Sequence, residues 1–60
     1  MNKYCDESID AMISAFGVDM VINFCKCSAF KYLWKYTNTN EEENLHKMNW
    51  YIDKQLKLQQ

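Results

Sequence analysis

Apolar residues recur at helical spacing in three stretches of this chain, parted by two short breaks. In the first, Ile9, Met12, Ile13 and Phe16 fall at i, i+3, i+4 and i+7, one face of a helix. Asp6-Glu7-Ser8 ahead of them supplies acceptors for the orphan amides and negative charge at the positive end of the dipole. Gly17, the sole glycine, follows directly and suits the left-handed residue that ends a helix. A short N-terminal helix is therefore expected over 7–16, after a short mixed arm that frays.

The second stretch starts at Asp19, which can cap a helix running to about Tyr36. At about 100° per residue, Val21, Ile22, Cys25, Ala29, Tyr32, Leu33 and Tyr36 fill one sector about 120° wide, a normal core stripe. Met20, Phe24, Cys27, Phe30 and Trp34 gather on a different side, among Asn23, Lys26 and Lys31. A helix that is apolar nearly all round has to be covered nearly all round, and two other short helices are too few to do it. A second copy of the chain would suffice.

Thr37-Asn38-Thr39-Asn40 forms the second break, where Asn can close a helix in place of glycine. Asn40 and Glu43 have capping-pair spacing, and Glu41, Glu42 and Glu43 place acidic charge in a first turn. Leu45, Met48, Ile52 and Leu56 then repeat at helical spacing, which predicts a third helix over 41–57 with Trp50 pointing away from the stripe. The short connection makes the second and third helices antiparallel neighbours. The expected architecture is all-α: one domain over 1–60, with helices near 7–16, 19–36 and 41–57, associated as an oligomeric helical bundle.

Composition sharpens this picture. Sixty residues bury only about 60% of their unfolded surface, yet nine residues are aromatic, more rings than so small an interior hides. That again points to a homo-oligomer, a dimer or higher. A net charge of −1 gives no global field to draw the chain onto nucleic acid or an acidic membrane. No apolar run reaches the roughly 18–20 residues that cross a bilayer. The acidic start, with Asp6, Glu7 and Asp10, does not suit a signal peptide. Three cysteines cannot all pair within the chain, which favours reduced thiols and a cytoplasmic location.

Several residue groups bear on chemistry. Cys25 and Cys27, with Cys5 and His46, invite a metal reading, but the first two lie about 200° apart around a helix and do not converge on one ion. No metal site is expected. Glu41–Glu43 could hold Mg²⁺, although helix-start chemistry already accounts for it. A lone glycine rules out a phosphate-binding glycine loop. Lys31 and Lys35 share one helix side with Ser28 one turn earlier, either as a solvated basic edge or as a phosphate site. In the second case the lysines supply charge, Ser28 a hydrogen bond, and Tyr32, Trp34 or Tyr36 a surface for a base.

The order Ile-Asp…Ala-Phe-Gly…Phe-Cys-x-x-x-Ala-x-Lys-Tyr-Leu-Trp-Lys, then Asn-Leu-x-Lys-x-x-x-Tyr-Ile, resembles a small tailed-phage domain sometimes called SaV-like. A nucleotide kinase of certain podoviruses carries the same kind of domain. The resemblance spans about Ile9 to Leu56, with its firmest matches at Lys31-Tyr32 and at Leu45, Lys47 and Tyr51. Cys27-Ser28 stands where the family has Gly-Asn, Lys35 where it has Arg, and Asn44 where it has Asp. The resemblance implies a phage-encoded accessory protein in the host cytoplasm. Its expected function is to bind a nucleotide, alone or with Mg²⁺, or another phosphate ligand at Ser28, Lys31, Tyr32 and Lys35. One alternative is a non-enzymatic module that docks on a host or phage protein, such as a host-defence component, through Phe24, Phe30, Trp34 and Trp50. The other is a dNMP kinase, whose catalytic residues the sequence does not identify.

Overall fold

A computed structural model describes residues 6–60, with the backbone alone at Asp6, and all its regular structure is helical. The expected frayed arm and Cys5 lie outside the described residues. Helix α1 spans Asp6–Phe16, α2 Val18–Thr39 and α3 Glu42–Leu58. α2 packs chiefly against α3, and α1 packs on α2.

The two breaks use different backbone devices. Gly17 has φ 91° and ψ 158°, a region essentially reserved for glycine, so it reverses the chain rather than forming the left-handed cap expected from its position. Its amide donates to the Ile13 carbonyl at 2.8 Å, which closes α1. Asp19 lies inside α2, and Gly17 occupies the cap position without a side-chain bond. At the far end Asn40 is left-handed, with φ 62°, and its amide donates to the Tyr36 carbonyl at 2.8 Å. Asn40 thus closes α2 as expected, whereas α3 is preceded by Glu41 and has no side-chain cap.

Thr39 ties this turn together. Its hydroxyl donates to the Lys35 carbonyl at 2.9 Å and accepts from the Glu41 amide at 3.3 Å and from Asn44 Nδ2 at 3.2 Å. That bond back to Lys35 adds a turn to α2 beyond the expected end at Tyr36. Asn44 is buried, and its NH₂ group supplies a donor that an ionised Asp lacks.

Ile9, Val21, Cys25, Ala29, Tyr32 and Tyr51 form the core, with Met12, Ile13, Met48, Trp50 and Leu58 packed against it. The α2 stripe holds for Val21, Cys25, Ala29 and Tyr32, whereas Leu33 stays 42% exposed. In α3 the buried line is rotated from the expected one. Asn44 and Tyr51 face inward, while Ile52 and Leu56 remain exposed. Tyr51 decides this phase because its ring engages those of Tyr32, Phe24 and Trp50. It stacks on Tyr32 at 5.9 Å and 11°, and meets Phe24 and Trp50 edge to face at 5.8 and 5.0 Å. Such pairs contribute about 0.5–1.5 kcal/mol each beyond their area, which favours the phase that seats Tyr51 over the one that seats Ile52.

Candidate functional site

Tyr32 is buried on the line where α2 meets α3, and its ring is the centre of a basic cluster. Lys31 Nζ lies 4.9 Å from the ring centroid, Lys35 Nζ 5.2 Å and Lys47 Nζ 5.4 Å. The first two come from the last turns of α2, and Lys47 comes from α3 across the turn that Thr39 fixes. Stacking of Tyr51 on Tyr32 sets the height of α3, and Lys47 stands one turn before Tyr51 on the same side.

Each cation gains from the ring quadrupole, by about 0.5–1 kcal/mol at exposed sites. Set against this, unit charges about 8 Å apart repel by roughly 0.5 kcal/mol in water and 2 kcal/mol at an effective dielectric of 20. Lys47 has a counter-charge in Glu43, at 3.5 Å one turn earlier. Among the described residues no ion pair engages Lys31 or Lys35. The cluster therefore carries uncompensated positive charge over a rigid aromatic floor, which is suited to an anion.

The expected site residues divide. Lys31, Lys35 and Tyr32 come together. Ser28 is buried on the helix, one turn before Tyr32, rather than displayed on the basic edge. Helical spacing sets Ser28 beside Lys35 but on the border nearest Val21 and Tyr32, the side that is buried. The spacing along the chain does not reveal Lys47, because its place over Tyr32 depends on how α3 meets α2. The Lys47 and Tyr51 spacing noted in the family-like motif was the one signal that pointed to it.

The aromatic positions also divide. Phe30 and Trp34 are 63% and 62% exposed, with rings 6.2 Å apart, and line an open depression of about 410 Å³ together with Lys31. Phe24 is 39% exposed and leans on Tyr51. Trp50 is only half-buried, but it packs against the core and carries Lys54 over its ring at 5.5 Å, so it does not point away as its place outside the expected stripe suggested.

Cys25 is fully buried and Cys27 exposed, as their separation around the helix requires. Burial pushes the Cys25 thiol above its ordinary pKa, partly offset by the positive charge of Lys54. Among the described residues no three His, Cys, Asp or Glu side chains are grouped to hold a metal. No described helix is long and apolar enough to cross a membrane. Comparison with known proteins returns no matching family, no similar curated protein and no similar solved structure.

Proposed function

We propose that the protein is a small helical binding module for a phosphate-bearing ligand, a nucleotide or another phosphate, held at Lys31, Lys35 and Lys47 over Tyr32. The observation that carries this reading is the convergence of three ammonium groups from two helices within 5.4 Å of one ring centre. Charge-assisted bonds from lysine to phosphate are about twice as strong as neutral ones, and the ligand relieves the repulsion among the cations. The Phe30–Trp34 pair beside Lys31 offers a face for a base. Four of the five firmest matches to the phage domain, Lys31, Tyr32, Lys47 and Tyr51 but not Leu45, belong to this cluster, which supports a phage-type accessory role in a host cytoplasm. The reading is of binding, without a catalytic step.

Thermal unfolding in the presence of inorganic pyrophosphate and a nucleotide panel tests it. A rise in Tm with at least one ligand, removed by Lys31→Ala and by Lys47→Ala, is expected. No shift with any of them at millimolar concentration would refute it. A second reading, docking through an aromatic face, is favoured by the open exposure of Phe30 and Trp34.

A further inference from the structure

We infer that the outer face of α2 is covered by the same face of a second copy, antiparallel, about a two-fold axis that passes at Cys27. Met20, Phe24, Phe30 and Trp34 are all exposed there, the first at 57%, and none belongs to the core. Met20, Cys27 and Trp34 are seven residues apart, so they form a nearly straight seam along the helix. A two-fold interface is isologous: each residue meets its symmetry mate's position. With the axis at Cys27, Met20 lies level with Trp34 of the second copy, and Phe24 level with Phe30, because these pairs lie seven and three residues to either side.

Area supports the same pairing. Taking roughly 200 Å² for each fully exposed side chain, the four cover roughly 450 Å² per copy at their observed exposures. Two copies give roughly 900 Å², and Cys27 with the stems of Lys26 and Lys31 brings the total near the roughly 1,200 Å² at which specific interfaces begin. Lys26 faces its mate near the axis, a cost that its long stem reduces by splaying into water. Lys35 and Lys47 stay outside the seam, whereas the pairing takes up the Phe30–Trp34 face and closes it to a base.

Cys27 makes the register measurable. In a Cys5→Ser variant, Cys27 is the accessible thiol among the described residues, since Cys25 is fully buried. Copper–phenanthroline in air oxidises two Cys27 thiols to one disulfide, with both electrons passing to the oxidant and both protons to water. We expect light scattering at about 100 μM to give twice the 7.2 kDa chain mass, and oxidation to yield a covalent dimer at least tenfold faster than for the same chain in denaturant. Cys27→Ser should remove the covalent dimer and leave the mass doubled. Trp34→Glu, at an exposed position, should keep the helical circular dichroism and give a 7.2 kDa monomer that cross-links slowly. A wild-type monomer at that concentration, a dimer that Trp34→Glu leaves intact, or a dimer whose Cys27 cross-links no faster than the denatured chain would each overturn the inference.

Discussion

Replacing Tyr51 with Leu tests how the hairpin is held together. Leucine keeps most of the apolar volume but removes the stack on Tyr32 and the edge contacts with Phe24 and Trp50. At about 0.5–1.5 kcal/mol per aromatic pair, the pair contribution alone is about 1.5–4.5 kcal/mol. Leucine recovers part of it through ordinary packing, so a loss of about 2 kcal/mol is expected. A 60-residue chain at about 0.05–0.15 kcal/mol per residue has only about 3–9 kcal/mol of total stability. The variant should therefore unfold at visibly lower urea, with an unchanged m-value, in titrations followed by far-UV circular dichroism. Because Tyr51 also sets the floor beneath Lys47, the same variant should weaken pyrophosphate binding while every lysine remains. A Tyr51→Leu protein within 0.5 kcal/mol of wild type would refute the claim that this residue fixes the phase of α3.

Other consequences follow from single positions. Gly17→Ala should cost about 1–3 kcal/mol although its methyl group would meet no atom within 4 Å, because the backbone at φ 91° excludes side chains; urea titration measures it. Asn40→Gly should be neutral or mildly stabilising and Asn40→Val should cost about 1–2 kcal/mol, since φ there is 62°. In the Trp34→Glu variant, expected to be a monomer, Cys27 should react with a thiol reagent at the rate of a free thiol, while Cys25 should react only as the protein opens. The folded Cys25 thiol has a raised pKa, so above the ordinary thiol range the unfolded chain loses a proton that the folded chain keeps. Stability should accordingly fall as pH rises through that range towards the folded value, and Cys25→Ala should remove that slope.

Much of the fold was legible because helical period and turn chemistry are local signals. Three helices, the Asn40 closure and the opposite environments of Cys25 and Cys27 all follow from spacing along the chain. The phase of α3 was not legible in the same way. Leu45, Met48, Ile52 and Leu56 form a good stripe by hydropathy, but Tyr51 wins the interface through its partners on α2, a contact between residues nineteen apart in sequence. The site shows the same division. Lys31 and Lys35 could be found from i, i+4 spacing alone, whereas Lys47 joins them only once α3 is laid against α2. Ser28 shares a helix side with Lys31 and Lys35 by spacing, but it stands at the border nearest Val21 and Tyr32, and its burial there shows only in the packed hairpin.

Titration calorimetry with pyrophosphate is the most direct test of the lysine cluster, using the wild type beside Lys35→Gln and Lys26→Gln. Lys35 closes the cluster over Tyr32, while Lys26 is an exposed lysine outside it. We expect binding that weakens with salt, as charge contacts at the surface are screened. Loss of Lys35 should cut affinity about tenfold, which is about 1.4 kcal/mol, and loss of Lys26 should leave it unchanged. Equal losses in the two variants, or no heat of binding in the wild type, would contradict the assignment of Lys31, Lys35 and Lys47 as an anion site.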